Sequence, residues 1–365
     1  MILILALAIG HSGPTLRDLA HRDRMNLGSC VQVGLLRDHA DRGRYEEALV
    51  REMNLVEPEN ELKPPSLWRG LDKYDFSNPD FLLGAPGQSG WAQKHGLRVR
   101  GHVLVYARDQ GYTIPRWLLD TEASTSPDRA RQILHDYIFA VVGRYRGKIA
   151  MWDVVNEAID DRPNNRPFNL RDSFWFRKLG KEFLPLAFKF AHEADPRAEL
   201  YYNEYGVENG GRKAESMLAL ADYLKEERAP ITGLGLQYHT VLPEHATPGD
   251  GHFKLIESIR DRKLAFMITE LDLGIPVKPF PRDDPNHGLI ASDPAELSTQ
   301  ADRYAAIFRM ARSFKNCHGV QMWGITDRHS WISMFDNRRG AALILDGDYR
   351  PKPAYDAVRD VLAGH

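Results

Sequence analysis

Trp152-Asp153-Val154-Val155-Asn156-Glu157-Ala158 and Ile268-Thr269-Glu270-Leu271-Asp272 are two apolar, strand-like runs that each lead into a glutamate. A strand that buries its body and ends in a carboxylate delivers that carboxylate to the rim of a sheet. Working outward from these runs, the same unit recurs: a short β-rich run followed by an amphipathic helical stretch, the pattern of βα units around a parallel sheet. Strands are expected near residues 27–33, 54–60, 98–106, 149–157, 199–205, 233–239, 265–272 and 319–327. Between them, Ile133, Tyr137, Val141 and Tyr145 repeat every four residues with Leu134, Ile138 and Val142 beside them, which predicts a helix over 129–146. Residues 212–228 and 298–314 are similar, and Pro351 and Pro353 punctuate the approach to a last short helix starting near Tyr355. Eight such repeats suit a closed (β/α)8 TIM barrel of the α/β class better than an open sheet, because closure leaves no exposed edge strand.

The chain has 365 residues, 43% of them hydrophobic, and a formal net charge of -2. That size fits one barrel domain, expected over 15–365 after an apolar segment at 1–14. A near-neutral balance offers no basic footprint for nucleic acid. Cys30 and Cys317 lack metal-ligand spacing and no His-Glu-x-x-His run occurs, so no metal is expected; a disulfide and two free thiols both fit. Met1 to Gly10 is too short to span a bilayer, and no other segment is apolar enough, so no membrane association is expected. The segment lacks a positive start and a clear Ala-x-Ala site. A clipped secretory leader and a buried N-terminal strand both fit it. A secreted or extracytoplasmic monomer is the expectation, with a cytoplasmic location as the alternative.

In such barrels the active site lies at the C-terminal ends of the strands. Here Glu59 and Asn60, His102, Asn156 and Glu157, Asn203 and Glu204, Gln237 and His239, Glu270 and Asp272, and Asp327 all fall late in their strands. Many polar groups desolvated at one mouth would be costly without a purpose. The connections 160–169 and 274–296, the second with five prolines, are expected to wall a cleft. Two glutamates facing each other across that mouth are what acid-assisted cleavage of a glycosidic bond requires.

At this point the chain resembles glycoside hydrolase family 10, the endo-β-1,4-xylanase family, from about Thr15 to Leu362. The matching signatures are Glu59-Asn60-Glu61-Leu62-Lys63, Arg100-Gly101-His102, Trp152 to Glu157, Tyr202-Asn203-Glu204-Tyr205, Gln237-Tyr238-His239, Ile268 to Asp272, Trp323-Gly324-Ile325-Thr326-Asp327 and Asp346 to Tyr355. The resemblance implies a retaining endo-β-1,4-xylanase that cleaves internal bonds of xylan or a related β-linked polysaccharide by double displacement, with no cofactor. It implies Glu157 as acid/base and Glu270 as nucleophile, with carboxyl groups roughly 5–5.5 Å apart. Glu157 is expected to have a raised pKa in the free enzyme. Asn156 would bond the sugar 2-hydroxyl, and His239 and Asp272 would hold the nucleophile. Glu59, Asn60, Lys63 and His102 would bind sugar on the non-reducing side. Trp323 and Trp331 would stack on pyranose rings, and Tyr106, Asn203, Tyr205 and Gln237 would complete the substrate-binding wall.

The chain also departs from the family pattern. Tyr106-Ala107 stands where Trp-His is common, and Arg108-Asp109-Gln110-Gly111 does not match. Pro64 follows Lys63 where a tryptophan is usual, and Arg328-His329 replaces a usual Lys-Tyr pair. These positions are expected to touch the sugar-binding wall beside the nucleophile. Two other readings therefore stay open: a retaining β-glycosidase or transglycosylase on another β-linked glycan, and a catalytically weak carbohydrate-binding barrel. Both glutamates with their Asn156, His239 and Asp272 supports argue against the last, since a binding module needs no paired acid and nucleophile.

Overall fold

The computed structural model describes residues 13–242, 247–281 and 292–365. The apolar Met1–Gly10 run and the middle of the 274–296 connection lie outside the described residues. Eight strands form the barrel: β1 (Asn26–Val31), β2 (Leu55–Pro58), β3 (Arg98–Gly101), β4 (Met151–Asn156), β5 (Glu199–Glu204), β6 (Gly233–Leu236), β7 (Ala265–Pro276) and β8 (Cys317–Met322). Each pairs in parallel with its sequence neighbours, and β8 pairs with β1 to close the ring. All eight strands therefore end at the same rim.

The principal helices surround this ring: α1 (Leu16–Arg22), α2 (Arg44–Glu52), α3 (Pro127–Arg144), α4 (Phe183–Ala194), α5 (Arg212–Glu226), α6 (Asp250–Asp261), α7 (Pro294–Ser313) and α8 (Pro353–Ala363). The stripe read from the sequence is the buried face of α3, whose first turn is capped by the Ser126 hydroxyl accepting from the Arg129 amide. Helix α7 starts earlier than residue 298 because Asp293 accepts from the Ala295 amide and Pro294 occupies the first helical position. Pro353 likewise opens α8 ahead of Tyr355. α8 packs on both α7 and α1, so the last helix closes against the first.

Two predicted strands are interrupted. The 98–106 run leaves the ladder after Gly101 and resumes as Val105–Tyr106, paired with Val155 and Asn156. The 233–239 run breaks at Tyr238, with φ 64°, and His239–Val241 then pairs with Asp272–Gly274. His102 lies in the first break, and His239 opens the segment that resumes after the second. Cys30 and Cys317 lie on neighbouring strands and are free thiols.

Inside the barrel, Leu55, Met151, Tyr201, Ala265 and Met267 form an apolar layer. Beside it lies a buried charged layer built on Arg100, which pairs with Asp153 and, at 2.9 Å, with Glu57. His102 Nδ1 lies 2.9 Å from Asp153 Oδ2. Burial raises the Asp153 carboxyl, but the Arg100 charge and the His102 bond outweigh it, so Asp153 titrates below the usual range. For Glu57 burial wins and the carboxyl is pushed well up. Glu57, His102 and Asp153 bring ligand-type atoms within 4.8 Å of one another, but the Arg100 guanidinium already supplies positive charge there. No helix among the described residues is long and apolar enough to cross a membrane.

Candidate active site

Glu157 follows the last residue of β4, and Glu270 sits within β7, with both side chains at the mouth. The backbone at Glu157 has φ 53°, a region non-glycine residues seldom occupy. It is held there by its amide donating to the Asn203 carbonyl at 3.0 Å and by Arg171 Nε donating to its carbonyl at 2.9 Å. Such local strain persists where surrounding bonds over-determine it.

A continuous polar chain joins the two carboxylates. Gln237 Nε2 donates to Glu157 Oε1 and to Asn156 Oδ1, each at 3.2 Å. Asn203 Nδ2 lies 2.9 Å from Asn156 Oδ1 and 2.7 Å from Glu270 Oε1. Thr269 fixes the amide orientation by donating its hydroxyl to Asn203 Oδ1 at 2.7 Å. Register brings these groups together, since Asn156 sits opposite Asn203 and Asn203 opposite Gly235. Any side chain at 235 would collide: a Cβ there would lie 2.2 Å from Asn203 Oδ1.

On the Glu270 side, His239 Nε2 lies 3.1 Å from Glu270 Oε2 and its Nδ1 lies 2.9 Å from Asp272 Oδ2. Burial lowers the basicity of this imidazole, but the Asp272 charge and bonds to both carboxylates overcome it and hold the pKa well above the ordinary value. His239 is then a cation donating to both. Trp331 Nε1 donates to the same Asp272 oxygen at 2.8 Å. Its ring meets His239 edge-on with centroids 5.0 Å apart. Trp323 packs edge-on against His102 at 5.5 Å and His239 at 6.0 Å, with Lys63 Nζ 5.8 Å from its ring centre. Lys63 donates to Asn60 Oδ1 at 2.9 Å, Asn60 Nδ2 bonds Glu59 Oε1 at 3.3 Å, and Gln32 bonds Glu59 Oε2 at 2.9 Å.

On the Glu157 side, Tyr106 donates its hydroxyl to Oε1 at 2.6 Å and Arg108 Nη1 donates to Oε2 at 2.7 Å. This overturns the expected raised pKa. Burial does push the Glu157 carboxyl up, but bonds from Tyr106 and Arg108, the Arg108 charge and the Gln237 bond together bring it below the usual range. Free Glu157 is an anion at neutral pH.

The departures also fall differently from expectation. Tyr106 and Arg108 touch Glu157, not Glu270. His329 turns away to Asp41, with Nε2 2.8 Å from Oδ2, and Arg328 bonds the Gly347 carbonyl at 2.7 Å. Pro64 opens a short buried turn of helix. Asp327 is structural: it accepts from the Leu343 amide at 2.8 Å and from Lys352 Nζ at 2.9 Å, tying the closing segment to the barrel.

Tyr205 stands farther out, donating to Asp161 at 2.6 Å and accepting from Arg171 at 2.8 Å. Asp161 lies in the predicted 160–169 wall. Two hollows are lined by residues of the strand-end loops: one of about 460 Å³ by Asn60, Lys63, Arg69 and Tyr112, another of about 350 Å³ by Glu208, Tyr238, His239 and Thr240. Sequence reasoning gave no role to Arg108, Thr269 or Arg171. For Arg108 the mismatch itself was the available signal.

The family model for glycosyl hydrolase family 10 matches residues 15–361. Endo-1,4-beta-xylanase B of Thermotoga neapolitana is 32% identical over 322 residues, covering 88% of this chain and 84% of the relative. Beta-1,4-xylanase of Dictyoglomus thermophilum is 31% identical over 355 residues, covering 95% and 91%. Among solved structures, xylanase 10B of Thermotoga petrophila RKU-1 in complex with xylobiose superposes with a TM-score of 0.85 at 29% identity, covering 97% of this chain and 99% of that one. With the barrel, the strand-end glutamates and a match spanning nearly every residue described, this chain belongs to glycosyl hydrolase family 10.

Proposed function

We propose that this chain is an endo-β-1,4-xylanase working by retaining double displacement, with Glu270 as nucleophile and Glu157 as acid/base. The observation that supports the reading is the chain of hydrogen bonds from Glu157 through Gln237, Asn156 and Asn203 to Glu270, which links the two carboxylates through three side chains. Glu270 attacks the anomeric carbon while Glu157 gives a proton to the departing oxygen; water then hydrolyses the glycosyl ester with Glu157 as base. The His239 cation between Glu270 and Asp272 donates to the nucleophile and aims it. Asn156 stands ready for the sugar 2-hydroxyl, a contact that strengthens as charge develops on the ring.

Two separate hollows, one lined by Asn60 and Lys63 and the other by His239, support internal cleavage, because a bound chain would have room in more than one place. In this reading Glu59, Asn60, Lys63 and His102 grip the non-reducing side, Trp323 and Trp331 offer apolar faces, and Tyr205 borders the leaving side. Residues 15–365 act as one monomeric catalytic unit. A polymer too large to enter cells supports work outside the cytoplasm. The test is incubation with xylan, arabinoxylan, mixed-linkage glucan and cellulose, reading products by size and anomeric configuration. Short β-configured xylo-oligosaccharides from xylan are expected. Inverted products, or cleavage of glucans alone, would overturn the reading.

A further inference from the structure

Both oxygens of Glu157 are occupied, and the two differ in a way that bears on its proton. Oε1 accepts from Tyr106 at 2.6 Å, Gln237 at 3.2 Å and Asn156 at 3.3 Å. A carboxylate oxygen offers about two lone-pair sites, so three donors leave no place there for a proton. Oε2 is the remaining position, and Arg108 Nη1 sits on it at 2.7 Å. Arg108 takes one of that oxygen's lone-pair sites and its charge opposes a proton on the other, so withdrawing Arg108 favours the acid form of Glu157.

The arginine is set there by its surroundings. Thr113, itself buried, donates its hydroxyl to the Arg108 carbonyl at 2.6 Å. Asp109 accepts from the Phe174 amide at 3.0 Å and pairs with Arg177 at 2.6 Å. The backbone of the 108–113 turn is thereby pinned while the guanidinium stays at the cleft, its side chain 22% exposed. Among the described residues the guanidinium donates to Glu157 through Nη1 alone, so further N–H groups remain for a second carboxylate. A guanidinium fork matches a carboxylate through two parallel bonds, which one shared bond to Oε2 does not use.

We propose that Arg108 is a carboxylate receptor: an acidic substituent on the sugar that carries the leaving oxygen draws Arg108 off Glu157, and Oε2 then takes a proton from solvent. The location follows from the chemistry, because a proton on Oε2 goes to the leaving oxygen and a group bonded to Oε2 borders that sugar. The substrate class is a β-linked glycan bearing uronic acid branches. This proposal rests on the acid role given to Glu157 above and deepens it. Other ionisable groups face the carboxyl as well. Tyr106 arrives from the segment after β3, Arg171 from the connection after β4, Glu204 and Tyr205 from the end of β5, and Glu270 from β7. Glu204 is matched by Lys213 at 3.1 Å, and Tyr205 and Arg171 by Asp161. Arg108 is therefore the partner whose removal changes Glu157 most directly.

The test follows the carboxyl of Glu157 by carbon NMR across pH, in protein carrying Glu270→Gln so that no turnover intervenes. Arg108→Met should raise the titration midpoint by about one to three pH units, the range an adjacent opposite charge commonly sets. With Arg108 present, a xylo-oligosaccharide bearing one glucuronic acid branch should raise the midpoint by about one unit more than its unbranched counterpart. Arg108→Met should erase that difference. Arg108→Lys should keep the low midpoint but lose the branched preference, since an ammonium cannot fork. An unmoved midpoint in Arg108→Met, or equal shifts from both oligosaccharides, would overturn the proposal. None of these readouts needs turnover, so failure to cleave xylan would remove the proposed function through a separate result.

Discussion

The two glutamates are supported by different kinds of structure. Glu270 is held by Asn203, His239 and Asp272, on barrel strands or their immediate extensions, with Trp331 from the connection after β8 bonding Asp272. Glu157 shares Asn156 and Gln237 with that system, but its strongest contacts come from Tyr106 and Arg108, on the irregular path leaving β3. The difference suits the roles proposed for the two residues. A nucleophile must be ionised throughout, and strands fix its cationic neighbour rigidly. An acid/base must gain and lose a proton, and contacts from a connecting segment can be changed without disturbing the barrel.

Four experiments probe that contrast. Glu270→Ala should lower turnover of an aryl β-xyloside by at least about 10⁴-fold, the scale of removing a nucleophile. Azide should restore part of the rate with inverted product, read by NMR of the first-formed anomer. Near-normal activity without azide would take Glu270 out of the mechanism. For Glu157→Ala, substrates with poor leaving groups should lose about 10²- to 10⁴-fold, and activated aryl glycosides far less. Equal losses on both would mean that protonation is not its task.

Asp272→Asn should reduce kcat by about 10²-fold, because a misaimed nucleophile loses its near-attack geometry. The sign of its pH effect is fixed: His239 titrates well above its ordinary value with Asp272 beside it, so losing that anion must move the alkaline limb of the profile to lower pH. An unchanged alkaline limb would detach His239 from the activity. The smallest effect belongs to Tyr106→Phe, which deletes one bond to a charged acceptor worth about 1.5–3 kcal/mol. Its Glu157 midpoint should rise by about one to two pH units.

Stability should follow the same sign. The native Glu157 carboxyl lies below its unfolded value of about 4.3, so its contribution is complete above that pH and fades as pH falls through the native value. The gap in Tm between wild type and Glu157→Gln should therefore shrink on acidification below about pH 4. A gap that widens there would contradict the Arg108 pairing.

The closed barrel was legible because each strand is an apolar run with a polar end, and the eight runs fall on the observed strands. Around Glu270, His239 and Asp272 were legible through the family resemblance, whereas Asn203, expected in the substrate-binding wall, bonds Glu270 itself. Arg108 was not legible. It follows an interrupted strand, and its reach to Glu157 depends on where Thr113 and Asp109 pin the turn. The depressed pKa was invisible for the same cause. The strand interruptions after Gly101 and at Tyr238 escaped too, because alternation of residue types does not report where the backbone leaves its ladder.

Gly235 shows where a purely chemical census of this pocket would go wrong. The residue has no functional group, yet the hydrogen atom it presents leaves the space in which the Asn203 amide stands between Asn156 and Glu270. In a saturation mutagenesis screen this silent position should score among the most intolerant in the barrel, with variants that fold, bind glycan poorly and turn over almost nothing. The tolerance map would then mark, by its gaps, the places where the enzyme depends on having nothing there.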